Sequence, residues 1–371
     1  MSQITASFPL DGTPEVTASS GFKLGHRPEL DGVRGISILL VLLLHLGFSF
    51  FSGGFLGVDI FFVLSGFLIT SLLAQEFESS GSISLKRFYI RRALRLMPAV
   101  GIYLLLNGIY AFLFLDREKA TLIYQGILLS LSYVSNWVFA FVPAMKIGPL
   151  GITWSLAIEE QFYFVWPLIL LLLLKLRIRR TVVLMMIVIA IAGLTLHRKI
   201  LMEGGAPIER LYYASDTRAD SLLVGCLVAL LLSWNLLPKS DLFRWLVKLV
   251  AAIGAALIFR LVVITNFQDR MLYGGTLTLV SLSVGAILIV LMLWPPAVVL
   301  TILKFRPLCW VGRVSYGLYL WHWPIREYVC PDILAAPAWR VILTTAIAFG
   351  VTALSFYLVE RPFLRMKKRF S

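Results

Sequence analysis

The sequence predicts an all-α protein, a polytopic membrane bundle of about ten transmembrane helices with one further re-entrant or interfacial segment. Of its 371 residues, 59% are hydrophobic and only 15% are charged, whereas soluble globular proteins carry about 25% charged residues. The apolar residues are gathered in stretches that approach the ~20 residues needed to cross a bilayer as a helix. Residues 165–174 show none of the strict alternation that a strand of an outer-membrane barrel requires.

Eleven apolar segments are visible, at 36–52, 55–75, 96–115, 121–143, 154–174, 181–197, 219–234, 246–264, 273–294, 312–330 and 339–360. Lys and Arg accumulate in cytoplasmic loops of membrane proteins, and here they cluster at 86–95, 175–180, 239–248, 304–313 and 365–369. The first three crossings, starting inside, end outside at Asp116, so only one crossing can precede the basic cluster at 175–180. Segment 121–143 carries Gln125 and Asn136 and is therefore expected not to span the bilayer.

Ten crossings place both termini in the cytoplasm. Residues 1–29 are expected to form a cytoplasmic tail, 30–364 the membrane domain, and 365–371 a basic cytoplasmic tail. The first 30 residues are polar and have no apolar core of a signal peptide.

The net charge of +14 does not indicate nucleic-acid binding, because the basic residues lie between apolar spans and form no separate domain. The three cysteines, Cys226, Cys309 and Cys330, are too few and too scattered for a disulfide framework or a zinc site. No conventional metal-ligand cluster is visible, so no metal is expected.

Charged residues inside the bilayer cost ~2.5–3.5 kcal/mol on insertion scales and usually face a cavity or a partner. Arg34 and His45 lie in the first span, eleven residues apart. Eleven residues make three helical turns with only ~20° of drift, so both side chains share one face, ~16 Å apart along the axis. The two residues suggest the ends of a polar path; a snorkelling arginine and a packing histidine are the alternatives.

Three acidic residues are expected at the depth of His45 or near it. Asp59 opens the second span, and Glu159 and Glu160 lie near the outer end of the fifth segment. A carboxylate beside an imidazole fixes its tautomer and raises its basicity, as a general base needs. Asp59 or Glu160 is the expected partner of His45; a helix cap is the alternative for each.

Two further groups are candidate site residues. Arg92 and Arg95 are spaced i and i+3 in a cytoplasmic run, so they project from one side of a helix and suit a phosphate-rich ligand. Topology anchoring is the alternative interpretation. Glu159, Tyr163, Tyr319 and His322 lie in the same polar-aromatic stretches as the other candidates and are expected to bind or support the substrate. For His322, a catalytic role, a hydrogen-bonding role and simple packing all stay open.

Six stretches, in order along the chain, resemble the membrane acyltransferase-3 family of bacterial glycan O-acyltransferases. They are LDGVRGISILLVLLLH at 30–45, GGFLGVDIFFVLSGFLIT at 53–70, FYIRRALRLMPA at 88–99, WSLAIEEQFYFVWP at 154–167, SYGLYLWHWP at 315–324 and VERPF at 359–363. The family's Arg-x10-His pair matches Arg34 and His45, and its Arg-x-x-Arg motif matches Arg92 and Arg95. Some members carry an extracytoplasmic hydrolase-like domain after the last span, and this sequence, ending at Ser371, is expected to lack it.

The resemblance implies a multi-pass protein of the bacterial inner membrane that transfers an acyl group, commonly acetyl, from cytoplasmic acyl-CoA to a sugar hydroxyl. Arg34, Arg92 and Arg95 would bind acetyl-CoA or another acyl-CoA. His45, with Asp59 or Glu160, would activate the hydroxyl or relay the acyl group covalently. The partners implied are acyl-CoA, a glycan or lipid-linked saccharide and membrane lipids; acceptor identity and oligomeric state stay open.

Two other classes of protein fit parts of the sequence. A transporter of glycans or lipids would use the same polar path without chemistry, and internal symmetry, which is not visible, would favour it. An unrelated membrane acyltransferase centred on His322 would act on lipids or proteins, but the ordered set of motifs argues against it.

Overall fold

The computed structural model describes residues 22–142, 144–145 and 147–367. The predicted all-α bundle is confirmed, and no strand occurs among these residues. The α-helices are α1 (Pro28–His45), α2 (Leu56–Ser80), α3 (Leu85–Phe114), α4 (Arg117–Leu131), α5 (Ser135–Phe141), α6 (Thr153–Lys175), α7 (Arg180–Glu203), α8 (Ile208–Tyr213), α9 (Ala219–Ser233), α10 (Asp241–Ile264), α11 (Thr276–Leu293), α12 (Ala297–Leu303), α13 (Arg306–Arg313), α14 (Ser315–Val329), α15 (Ala338–Leu354) and α16 (Arg361–Lys367), the last two joined by a π-helical turn, Ser355–Glu360.

Local signals in the sequence set several helix ends. The side chains of Ser84, Asp116 and Ser240 accept hydrogen bonds from backbone N–H groups in the first turns of α3, α4 and α10, as N-cap residues do. Gly81 ends α2 with a φ of 69°, a left-handed conformation that glycine adopts without strain.

Seven helical stretches of the described chain are long and apolar enough to cross a membrane, which makes the protein a multi-pass membrane protein. They are Leu56–Ser80, Leu85–Phe114, Gly148–Lys175, Arg180–Glu203, Asp241–Ile264, Thr276–Leu293 and Ala338–Met366. The other predicted crossings correspond to α1, α9 and α14, with 18, 15 and 15 residues. The count of ten therefore stays a prediction.

The segment expected not to span is broken into two helices. The axes of α4 and α5 meet at 118°, as in a broken span or a re-entrant loop. Such a bend fits the non-spanning interpretation of residues 121–143, although residue 143 itself lies outside the described residues. The predicted tails also fall largely outside them, at 1–21 and 368–371.

Helix α2 forms the centre of the bundle: 83% of its apolar window is buried, against 17–39% for α3, α6, α7, α10 and α15. It packs on α1, α6, α9 and α11. Close approach to α9 depends on two glycines, because a Cβ on Gly66 would collide with the backbone of Leu222 and one on Gly225 with the backbone of Val63. Small residues at such crossings are how membrane helices pack without a hydrophobic driving force.

Candidate active site

An open pocket lies between α1, α2, α3, α6 and α14 and encloses about 1030 Å³ of empty space, open solvent included. Its charged side chains are four arginines and one glutamate. The charged and polar side chains that line it are Arg34, Ser65, Arg91, Arg92, Arg95, Ser155, Glu159, Tyr163, Ser315, Tyr316 and Tyr319. All three arginines and three of the supporting residues predicted from the sequence are among them. We call this cavity the arginine pocket.

Arg34 is fixed by the junction of α13 and α14. Its Nε donates to the carbonyl oxygen of Gly312 at 3.3 Å, and its Nη2 donates to Oγ of Ser315 at 3.0 Å. The backbones can approach here because Gly312 has no Cβ to collide with Asp31 of α1. Since neutral oxygens hold the guanidinium, its charge stays available to a ligand.

Arg92 and Arg95 face the same cavity from one side of α3, as their spacing predicts. The guanidinium of Arg92 lies 3.8 Å from the centre of the Tyr163 ring, and its Nε is buried without a hydrogen-bond partner. Within the described residues, neither arginine forms a salt bridge, whereas Arg91 contacts Glu76 at 3.1 Å. The pocket therefore presents unneutralised guanidiniums, the groups that best bind phosphate.

The two adjacent glutamates occupy different surroundings. Glu159 lines the arginine pocket and accepts a hydrogen bond from Oγ of Ser65 at 2.5 Å. Glu160 is not among the residues that line the pocket and forms no side-chain hydrogen bond or salt bridge in the described part of the chain. Adjacent residues on a helix point about 100° apart, so only one of them faces the cavity.

His45 is paired with His322, a contact between residues 277 positions apart. The rings stack at a centroid distance of 5.1 Å, and Nδ1 of His45 lies 2.8 Å from Nε2 of His322. Nδ1 of His322 lies 2.9 Å from the carbonyl oxygen of Leu318 and must donate to it. In neutral imidazoles this leaves Nε2 of His322 as an acceptor, so Nδ1 of His45 carries the proton and its Nε2 keeps a lone pair. The predicted orientation of His45 by Asp59 or Glu160 is thus corrected: His322 occupies that position.

Asp59 serves a different partner. Its Oδ1 lies 2.9 Å from Nη2 of Arg218, and both side chains are fully buried. A second buried ion pair, Arg198 with Asp220 at 3.0 Å, lies beside the first. Removing one member of such a pair leaves an uncompensated buried charge, so the carboxylate of Asp59 is committed to Arg218.

Sequence reasoning missed Arg198, Arg218 and Asp220. The available signal was the two arginines and one aspartate at the borders of neighbouring apolar segments, 181–197 and 219–234.

Tyr319 connects the arginine pocket to the histidine pair. It lines the pocket, its hydroxyl lies 2.7 Å from Oγ of Ser155 and donates to the carbonyl of Ile152 at 3.1 Å, and its ring centre is 5.8 Å from that of His322. The cavity thus ends one aromatic ring away from the imidazoles. No group of three or more His, Cys, Asp or Glu side chains among the described residues could hold a metal ion.

Comparisons with known proteins agree with the motifs. Residues 27–360 match the family model described as an acyltransferase domain, acyltransferase family 3. The peptidoglycan O-acetyltransferase OatA of Listeria monocytogenes is 39% identical over 351 residues, which are 90% of this chain and 55% of that protein. The putative peptidoglycan O-acetyltransferase YrhL of Bacillus subtilis is 35% identical over 348 residues, covering 90% and 54%.

A putative O-acetyltransferase of Staphylococcus aureus is 33% identical over 355 residues, covering 92% of this chain and 58% of that protein. The chain therefore spans little more than half the length of these relatives. No solved structure matches it.

Proposed function

Because the chain belongs to the membrane acyltransferase-3 family, we propose that it is an O-acyltransferase that moves an acetyl group from acetyl-CoA, or another acyl group from its acyl-CoA, to a hydroxyl of a glycan. One observation carries the proposal: a pocket of unneutralised guanidiniums leads, through Tyr319, to an imidazole with a free lone pair. The guanidinium pocket suits an anionic donor, and the imidazole suits acyl transfer.

The donor would bind with its phosphates on Arg34, Arg92 and Arg95. The lining of the pocket contains these three guanidiniums, the guanidinium of Arg91, which pairs with Glu76, and a single carboxylate, that of Glu159. Charge-assisted hydrogen bonds from arginine to phosphate are about twice as strong as neutral ones. The pantetheine arm would then extend along the cavity past Tyr319 and bring the thioester to the histidine pair.

At the histidine pair, Nε2 of His45 would accept the proton of the acceptor hydroxyl as its oxygen attacks the thioester carbon. The new C–O bond forms, the C–S bond breaks, and the proton passes from His45 to the leaving thiolate. His322 would hold the imidazole in the reactive tautomer through the bond at 2.8 Å. A covalent relay would instead use the same lone pair as the nucleophile, and trapping of an acyl-enzyme would identify that route.

The acceptor is proposed to be a polysaccharide of the cell envelope. Two relatives are named as peptidoglycan O-acetyltransferases, one of them putatively. We infer from the basic clusters of the sequence that the arginine pocket opens to the cytoplasmic face, where acyl-CoA is found, and that both termini are cytoplasmic. The proposed location is a bacterial inner membrane.

The experiment is acetyl transfer by the full chain in lipid nanodiscs, with radiolabelled acetyl-CoA and a peptidoglycan fragment. We expect acetylated glycan, with the mass increment of one acetyl group, and a loss of ~10²–10⁴-fold in turnover for His45→Ala and His45→Gln. Arg306→Ala, at an exposed position in the basic cluster at 304–313, is the control. Absence of thioester turnover by the wild-type protein would favour the transporter and refute the proposal.

A further inference from the structure

Helix α14 carries a stripe of functional side chains that continues beyond the histidine pair. Ser315, Tyr319, His322 and Arg326 follow one another at intervals of four, three and four residues, so they lie along one face of the helix. Ser315 lines the arginine pocket, and His322 is hydrogen-bonded to His45. Arg326 lies one turn further, ~6 Å along the axis. It is therefore on the side of the base that faces away from the pocket.

An aromatic face, not an acid, holds Arg326. The centre of its guanidinium lies 4.9 Å from the centre of the Trp323 ring, and that ring meets the ring of His45 edge-on at 4.6 Å. The side chain is half-buried, and its Nε is buried without a hydrogen-bond partner. Within the described part of the chain Arg326 forms no salt bridge; the carboxylate of its neighbour Glu327 interacts with it electrostatically, but not at salt-bridge distance.

Arg92 in the arginine pocket has the same arrangement. It too lies over an aromatic ring, that of Tyr163, and its Nε is also buried and unpartnered. Of the described arginines, one more has a buried Nε without a hydrogen bond, Arg218, but Asp59 neutralises its charge at 2.9 Å. Arg92 and Arg326 therefore share two features: the guanidinium forms no salt bridge among the described residues, and its Nε is buried without a hydrogen-bond partner.

The position of Arg326 near the end of α14 explains only part of this arrangement. A basic residue in the last turn of a helix interacts favourably with the terminal carbonyls, and such a residue usually extends into water. Arg326 instead rests on Trp323 with its Nε covered, beside the base of the site. Keeping an unpaired cation there costs free energy that a bound anion would recover.

We propose that Arg326, held by Trp323, is the acceptor-binding subsite and that it binds an anionic group of the acceptor, a carboxylate or a phosphate. The inference rests on the proposed O-acetyl transfer and names the chemical class of its acceptor. The donor phosphates lie on one side of His45 and the anion of the acceptor on the other, so the two substrates meet at the imidazole from opposite directions.

The test uses the full chain in nanodiscs and one disaccharide, N-acetylglucosamine linked to N-acetylmuramic acid, in four forms. One keeps the lactyl carboxylate, and one is its neutral methyl amide. The third form is the amide joined to a polyprenyl chain through a diphosphate. The fourth is the amide joined directly to the same polyprenyl chain. The dissociation constant of each form is measured without donor, and its KM is measured with acetyl-CoA.

We expect one anionic form to bind ~10- to 150-fold more tightly than its neutral counterpart, the range for a hydrogen bond to a charged group. Arg326→Gln should abolish this preference without changing acetyl-CoA binding, and Arg326→Lys should restore part of it. Arg340→Gln is the matched control, because Arg340 is half-buried like Arg326 and its Nη2 donates to the carbonyl of Val329 at the same end of α14. Preference for the carboxylate form identifies an acidic sugar, and preference for the diphosphate form identifies a lipid-linked one.

The inference is overturned if the wild-type protein binds neutral and anionic forms equally, or if Arg326→Gln keeps the preference. Its failure differs from that of the proposed function. Acetyl transfer without any preference refutes the subsite alone, whereas a preference lost in Arg326→Gln, with no acetyl transfer to any form, supports the subsite and refutes the activity.

Discussion

Replacing His322 with leucine would remove the acceptor of the hydrogen bond from Nδ1 of His45, which spans 2.8 Å. His322 is only 2% exposed, so leucine keeps the site apolar and mostly filled. Loss of this hydrogen bond leaves the buried N–H of His45 without a partner, which costs ~1–3 kcal/mol. His45 can then move its proton from Nδ1 to Nε2, the atom that should act as the base. The same free energy, expressed as a rate, is a loss of ~5- to 150-fold in kcat at 1.36 kcal/mol per decade.

The assay is steady-state acetyl transfer per folded molecule, with KM for acetyl-CoA measured in parallel. We expect KM to stay unchanged, because the arginine pocket is intact, so the loss falls on kcat. His322→Gln should recover part of the rate, since its amide oxygen can accept the same N–H. His26→Gln, at a side chain 77% exposed, is the control.

A packing role for His322 would produce a different result. Leucine would then retain turnover in the molecules that fold, and glutamine would be no better than leucine. Equal kcat for wild type and His322→Leu would refute the tautomer argument, and a change confined to KM would place His322 in substrate binding instead.

Three more predictions concern the donor, the core and the topology. Arg92→Ala and Arg95→Ala should each weaken acetyl-CoA binding ~10- to 150-fold, measured by calorimetry in nanodiscs; unchanged affinity in both would reduce them to topology anchors. Asp59→Asn should lower the free energy of unfolding by ~3–5 kcal/mol, because a buried guanidinium loses its counter-charge, seen as an earlier thermal transition in detergent; an unchanged transition would contradict a structural role. Cysteines at Lys119 and Ala144 should both be labelled by an impermeant reagent from outside if residues 121–143 do not span, and labelling of Ala144→Cys only after permeabilisation would show that they do.

Local sequence patterns predicted the features that depend on one helix or on one loop. The helical period placed Arg92 and Arg95 on one side of α3, and both face the arginine pocket. The long apolar stretches predicted the helical membrane bundle, and the ordered motifs predicted the family. The apolar length of a helix determines less strictly whether it crosses the membrane. The number of crossings therefore stays a prediction, because α1, α9 and α14 are shorter or more polar than the other helices.

The partners of the buried charged and titratable groups depended on contacts between helices. Asp59 and Glu160 became the candidates to orient His45 because they were expected at the same depth in the membrane. Depth fixes only one of the three coordinates of a side chain. The rotation and spacing of the helices decide which side chains meet. Tertiary packing instead brings His322 to His45 and gives Asp59 to Arg218.

The sequence by itself determined that this chain is a helical membrane protein, with Arg34 and His45 on one face of a helix and Arg92 and Arg95 on one side of another, because hydropathy and the 3.6-residue period are properties of each segment. Only the tertiary structure decided the pairings. The approach of Gly312 to the backbone of Asp31 sets α13 against α1 and so fixes the register in which α14 meets Arg34 and His45. Such a register arises from close packing between residues nearly 280 positions apart, and no local pattern in the sequence encodes it.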